Sequence, residues 1–218
     1  MHIFSLSENN ISSIANQTAI FLKNGAIGIY PTETLYGIGT SIANHENIIK
    51  CNQIKNRPDN TPQILLIRYE WISRYIVNYE RFLPLLDILW AGKFTVILES
   101  YLNLPFSSGN KIAFRVSPHP FIESMLTILD EPITSSSANR NQIEPKIRFV
   151  ELVEEFRNDV DFLVYDKNDD PQWRKPVIPE SSTMLDATEF PSKIKIIRGD
   201  KNSLSKITRI FPSLEVSR

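Results

Sequence analysis

The chain has 218 residues, 42% of them hydrophobic and 22% charged, with a formal net charge of -1. Such a length and composition suit one large globular domain, and the near-zero charge excludes a global field for nucleic acid or anionic membrane, so any anion site must be local. The single cysteine, Cys51, excludes an internal disulfide, and no apolar run reaches the roughly 18 residues of a membrane span, which together point to a reducing, cytoplasmic setting.

The opening MHIFSLSENN has neither a basic n-region nor an apolar h-region, so no secretory leader is expected. Residues 7–23 carry a helical stripe, Ile11, Ile14, Ala15, Ala19 and Leu22, closed by Gly25. AIGIY is a short strand ended by Pro31, and residues 46–56 read as a helix with Ile48, Ile49 and Ile54 inward. RPDNTP is a stiff loop before the strand ILLI. Residues 69–77 and 81–90 read as helices, the second with Pro84 in its first turn. FTVILES and KIAFRVS read as a strand pair around a loop, 120–129 as a helix, and PITSS as a strand entering the turn SANRNQIEP. A helix over 150–156 and the strands DFLVYD, STMLDA and KIKIIR complete residues 1–200, with a weakly patterned tail at 201–218. The mixture predicts a single α/β domain on a twisted, mixed sheet flanked by helices. DKNDDPQWRKPVIP, residues 166–179, reads as a mobile surface loop and a candidate lid.

Four polar clusters sit at strand ends, where α/β proteins tend to hold ligands. PTETLYGIGT offers Thr32, Thr34 and Tyr36, and in a chain with only 7 glycines Gly37 and Gly39 imply a backbone requirement. Lys55 and Arg57 suit phosphate oxygens, but cations at a helix C-terminus also complement its dipole. SSSAN, residues 135–139, followed by Arg140, can wrap phosphate or ribose, or simply form a capped turn. Arg115 inside KIAFRVS needs an anion, either a structural carboxylate or a ligand. Ser182 opens STMLD and Arg198 closes KIKIIRG.

Other signals are missing. There is no P-loop and no GxGxxG, and His2, His45 and His119 lack metal-ligand spacing. His119, between two prolines, reads as structural. Cys51 reads as a buried, inert thiol, and no nucleophile–base pair is evident. Trp71, Trp90 and Trp173 read as core or lid residues.

In this order, the segments resemble the YrdC-like family of threonylcarbamoyl-AMP synthases, also called TsaC, over residues 20–199. YPTETLYGIG resembles the family's YPT[DE]TxYGLG, KNRPDNTP its KxRPxx[KN]P, LWAGKFTVIL its LWPGPxTxVL and IAFRVSPHP its xAxRxPxHP. SSSANRN is similar to STSANxSG, SSTMLD to STVxD, and IIRGD to [IL]xRxG. Each motif is weak singly; seven in the right order are specific.

The resemblance implies a twisted α/β sheet around a deep positive cleft. It also implies condensation of L-threonine, bicarbonate or CO2 and ATP, with magnesium, into L-threonylcarbamoyladenylate and pyrophosphate. That product feeds the t6A modification of tRNA position 37 through a downstream transferase machinery. By the same matching, Lys55 and Arg57 would be catalytic and grip the phosphates, with Thr61, Lys111, Ser137, Asn139 and Arg198 on the ATP side. Thr34, Arg115, Ser135 and Ser182 would enclose threonine. No resident metal site is implied.

The chain departs from the family pattern at Thr61, where Lys or Asn is usual, and at Gln63, where leucine is usual. LWAGK lacks a proline, Asn141 and Gln142 replace Ser-Gly, and the closing motif is Arg-Gly rather than Arg-x-Gly. These departures leave room for an ATP-binding paralogue with another substrate, and the basic, phosphate-lined cleft that the resemblance implies leaves a second reading, a module with weak RNA affinity. The tail at 201–218 is too short for the extra C-terminal domain of the family's longer members.

Overall fold

The computed structural model of the protein describes residues 1–90, 92–106, 109–146, 148–167, 181–199 and 205–217. Along the chain these form β1 (His2–Leu6), α1 (Ile11–Lys23), β2 (Gly28–Tyr30), β3 (Gly37–Gly39), α2 (His45–Ile54), β4 (Ile64–Ile67), α3 (Ile72–Tyr75) and α4 (Leu83–Leu89). There follow β5 (Phe94–Glu99), β6 (Lys111–Val116), α5 (Pro120–Leu129), β7 (Ile133–Ser137), α6 (Phe149–Phe156), β8 (Phe162–Asp166), β9 (Thr183–Asp186), β10 (Lys193–Arg198), α7 (Ser205–Ile210) and β11 (Glu215–Ser217).

The eleven strands form one sheet in the order β1-β8-β2-β3-β7-β4-β6-β5-β9-β10-β11. The sheet is mixed: β4 and β6 run parallel, β5 and β6 antiparallel, with Val96 opposite Phe114. This is the single α/β unit that the patterning predicts. The helices expected over 69–77 and 81–90 are shorter than their patterns, because each opens with a 3-10 turn, Tyr69–Trp71 and Tyr79–Phe82. The elements without a clear sequence signal are β1, β3, α7 and β11. In β1 only Leu6 is buried, so no alternation marks it, yet it pairs in parallel with β8 along its whole length. The tail adds α7, and β11 extends the sheet beside β10.

The middle strands are buried on both faces, and successive side chains alternate between two cores. Phe162 and Val164 of β8, with Tyr30 of β2, face the larger core that includes Ile14, Ala15, Ala19 and Leu22 of α1 and Phe121, Ile122 and Met125 of α5. Leu163, Ile29 and Ile38 face the opposite way, onto Cys51, Leu152 and Phe156. Burial pushes the Cys51 thiol up to about 12, so it stays protonated. Trp71 and Trp90 are buried in the larger core, whereas Trp173 lies outside the described residues.

The backbone requirement at Gly39 is one of space. A Cβ there would run into the Thr134 carbonyl and stand 2.6 Å from the Tyr30 hydroxyl, which itself donates to the Thr134 carbonyl at 2.9 Å. Gly39→Ala should therefore lower the unfolding free energy by about 2–3 kcal/mol in a denaturant titration.

Candidate active site

Strand β7 carries the site. On one side it pairs with β3, Ser136 opposite Ile38 and Ser137 opposite Gly37. On the other it pairs with β4 through Ile133, Thr134 and Ser135, and there the ladder stops. Where β4 departs, an open cleft appears with a cavity volume of about 160 Å³, below the roughly 300–1,000 Å³ usual for enclosed small-molecule pockets, the rest of its space lying open to solvent. It is lined by Thr34, Arg57, Arg115, Ser135, Ser137, Ser182 and Arg198, together with Tyr36, Gln63, Leu66, Ser136 and Met184. Residues far apart in sequence converge because the ladder registers put them on one face: Leu66 lies opposite Arg115, and Met184 lies opposite Thr95 on one side and Arg198 on the other.

Arg57 reaches the cleft from the RPDNTP loop. The prolines are not the only stiffeners there. The Asn52 amide of α2 donates to the carbonyls of Asp59 and Thr61, each at 2.9 Å, and the Arg57 N–H donates to the Asn52 carbonyl at 2.9 Å. The Arg57 guanidinium has no hydrogen-bond or ion-pair partner among the described residues. Partial desolvation makes Arg198 easier to deprotonate, and Arg115 and Arg57 push in the same direction, so the three cations act on one volume. Arg198 is held by Ser182, donating to its carbonyl and its hydroxyl at 3.2 Å each, and Thr95 lies 2.8 Å from the same hydroxyl.

Lys55 stands behind the cleft wall, not on it. It caps the C-terminus of α2 and is fully buried. Its ammonium donates to the carbonyls of Ser137 and Asn139, the latter at 2.6 Å, and lies 3.5 Å from Asn139 Oδ1. Burial lowers its pKa to about 7, with Arg57 adding to the effect. Asn139 is likewise buried and turned inward, donating to the carbonyls of Arg140 at 2.9 Å and Ile143 at 2.6 Å. Arg140 fastens the same loop, reaching the Ile54 carbonyl, the Glu155 carbonyl at 3.0 Å and Asp159 at 2.6 Å.

Two other expected contacts lie off the cleft. Thr61 closes its own loop by donating to the Pro58 carbonyl at 2.7 Å. Lys111 is four residues before Arg115 on β6, roughly 13 Å along the strand, and faces Thr188 at 3.0 Å and Asp186 at 3.6 Å. His119 caps α5, its Nδ1 accepting from the Phe121 N–H at 3.3 Å. Of the candidate lid at 166–179, residues 168–179 lie outside the described residues.

Sequence reasoning left the partner of Arg115 open between a carboxylate of the chain and a ligand. The structure supplies Glu33, with Ser117 on the other carboxylate oxygen. Neither residue, nor Thr95, was singled out from the sequence. Two signals point to the pair: the buried strand arginine, which demands an anion somewhere, and the acidic position of the YPT[DE]T motif, which Glu33 fills.

The buried ammonium generates a prediction. With a folded-state pKa near 7, below its ordinary 10.5, Lys55 binds a proton in the unfolded chain but not in the folded one between those values. Stability then rises with pH across that window. Relative to Lys55→Met, the wild type should gain roughly 1–2 kcal/mol in unfolding free energy from pH 7 to pH 9, read by denaturant titration.

Comparison with known proteins gives the family and the fold. The Sua5_yciO_yrdC family model, described as telomere recombination, matches residues 20–199. A threonylcarbamoyl-AMP synthase of Aliivibrio fischeri is 29% identical over 166 residues, 69% of this chain and 84% of that protein. A second, of Vibrio campbellii, is 33% identical over 141 residues, 62% of this chain and 76% of that one. Among solved structures, P. abyssi Sua5 complexed with L-threonine shares the fold with a TM-score of 0.83 at 20% identity, over 99% of this chain. This chain spans 62% of the length of that structure. E. coli YciO has a TM-score of 0.74 at 22% identity, over 92% of this chain and 98% of its own. With the family model matching most of its length, the chain belongs to the Sua5/YciO/YrdC family.

Proposed function

We propose that the protein is an L-threonylcarbamoyladenylate synthase, a nucleotidyltransferase that joins L-threonine, bicarbonate or CO2 and ATP. The observation that carries this reading is the convergence of Arg57, Arg115 and Arg198 with the hydroxyls of Thr34, Ser135, Ser137 and Ser182 in one cleft. The relatives named threonylcarbamoyl-AMP synthases support it. The chemistry needs little else. The threonine amine adds to CO2 and loses a proton; the resulting carbamate oxygen attacks the α-phosphorus, and pyrophosphate leaves. The substrate is its own nucleophile, so the protein's task is to hold two anions together and offset charge on the leaving group.

In this reading Arg57 and Arg198 meet phosphate oxygens from the loop and the rim. Arg115 meets the threonine carboxylate, with Thr34, Ser135 and Ser182 around the amino acid. Ser137 presents a hydroxyl to the nucleotide, while Lys55 and Asn139 shape the loop that offers it. Thr61 supports the loop that carries Arg57, and Lys111 would serve only after leaving Asp186. Magnesium would enter on the triphosphate. Among the described residues no three of His, Cys, Asp or Glu converge on a metal position, and the Glu33 carboxylate is engaged by Arg115 and Ser117. The ion would then be held chiefly by phosphate oxygens and water, as Mg²⁺ in nucleotide sites commonly is. The product would pass to the machinery that makes t6A in tRNA, in the cytoplasm. No helix of the described residues is long and apolar enough to cross a membrane.

The test is pyrophosphate release from ATP with magnesium and bicarbonate, with and without L-threonine, and with L-serine as control. Threonine-dependent release is expected; ATP binding without it would favour a paralogue with another substrate, and salt-sensitive RNA binding alone would favour an RNA module. Arg57→Ala should cut turnover about 100-fold with the fold intact, since a half-exposed guanidinium with no partner among the described residues contributes little to stability. Arg115→Ala should raise the threonine requirement far more than the ATP requirement, read from the two KM values.

A further inference from the structure

Arg115 is the buried member of the three cleft arginines, at 6% exposure. A buried guanidinium needs a fixed counter-charge. Glu33 provides it with one carboxylate oxygen, while the other accepts from the Ser117 hydroxyl. The carboxylate is thus held at both ends. Thr34, the next residue, accepts from Arg115 Nη1 at 3.0 Å. Arg115 Nε is buried and has no partner among the described residues, so the two Nη bonds alone set the plane of the guanidinium. Both come from the PTETLYG turn, which is itself braced: Thr32 donates to the Leu35 carbonyl at 2.6 Å, and its hydroxyl accepts from the Thr34 N–H at 3.2 Å. Arg57 and Arg198 differ in kind, because neither has a carboxylate partner among the described residues.

We infer that Glu33 is a positioning residue that sorts the two anions of the reaction: it orients Arg115 and cancels most of its charge, so that this end of the cleft takes the singly charged carboxylate of an amino acid and leaves the polyphosphate to Arg57 and Arg198. This rests on the synthase reading above. The physical reason is field strength. A guanidinium already facing a carboxylate still offers directional N–H donors to a monoanion, but its attraction for a multiply charged phosphate is largely offset. Ser117 and the braced turn keep Glu33 from swinging away, so the charge stays matched before substrate arrives.

The test compares wild type with Glu33→Gln, which keeps the shape and removes the charge, Glu33→Asp, which restores it on a shorter arm, and Ser117→Ala, which removes one anchor. Glu33→Gln should raise the threonine KM about tenfold, with the ATP KM and kcat within about threefold. Pyrophosphate, competitive with ATP in the wild type, should become competitive with threonine in Glu33→Gln as well. Glu33→Asp should return the inhibition pattern and part of the KM. Ser117→Ala should weaken threonine without that new competition. Calorimetric titration of each variant with threonine and with pyrophosphate reads the same sorting without turnover. An inactive wild type that still binds threonine would remove the synthase reading and leave this comparison standing. Equal shifts in the threonine and ATP KM values, or pyrophosphate that never competes with threonine in Glu33→Gln, would overturn the inference, the latter leaving Glu33 a structural ion-pair partner only.

Discussion

One buried ammonium closes the gap that the sheet leaves open. Thr134 and Ala138 turn their N–H groups toward the β3 side of β7, donating to the Thr40 carbonyl at 2.8 Å and the Tyr36 carbonyl at 2.7 Å. The alternate residues of the strand therefore face β4, which pairs only as far as Ser135. Past that point the Ser137 carbonyl has no strand to meet, and Lys55 meets it. The same side chain holds the Asn139 carbonyl, and the Lys55 carbonyl accepts the Asn141 N–H at 2.8 Å. The serine-rich loop is thus fastened to the end of α2 in both directions. An unsatisfied buried carbonyl is costly, and so is a buried ammonium without acceptors, so each requires the other. The cleft exists because β4 diverges, and it keeps its shape because Lys55 takes the vacated position.

Around that fixed edge the charges divide by depth. Arg115 is buried and paired with Glu33, Arg57 is half-buried on a loop braced by Asn52, and Arg198 is exposed at the rim, hung on Ser182. The proposed reaction brings a carboxylate beside a polyphosphate, which calls for cations of unequal strength, and differences of burial and pairing provide them without changing the residue type. The seryl and threonyl hydroxyls between the arginines add donors that carry no charge, which suits a surface that must accept anions and also release them.

Arg115 and Lys55 mark how far the sequence could be read. The aliphatic pattern of KIAFRVS makes a strand, and an arginine inside it signals an anion partner, but nothing local says that the partner is Glu33, 82 positions away. Lys55 looks like a surface cation because helix ends commonly carry them. Its burial depends on where β7 ends in space, and no window around residue 55 contains that information. β1 and β3 escaped for a similar reason: three residues of β3 and the exposed face of β1 show no period, and both exist because β2, β7 and β8 offer them ladders.

The sequence by itself determined the periods of the long helices and core strands, the glycine at residue 39 where a backbone and a ring must approach, and the ordered run of motifs from Tyr30 to Gly199. These are local properties, set by side-chain spacing, turn chemistry and steric size, and they survive in the chain as written. The tertiary structure decided which of the predicted residues share a cleft, that Lys55 and Asn139 stand behind its wall, that Lys111 faces Asp186, and that Glu33 is the counter-charge of Arg115. Those are properties of register and burial. Desolvation and ion pairing depend on neighbours brought together only when the strands align, so the same cation becomes a ligand contact, a staple or a surface charge according to the ladder beside it.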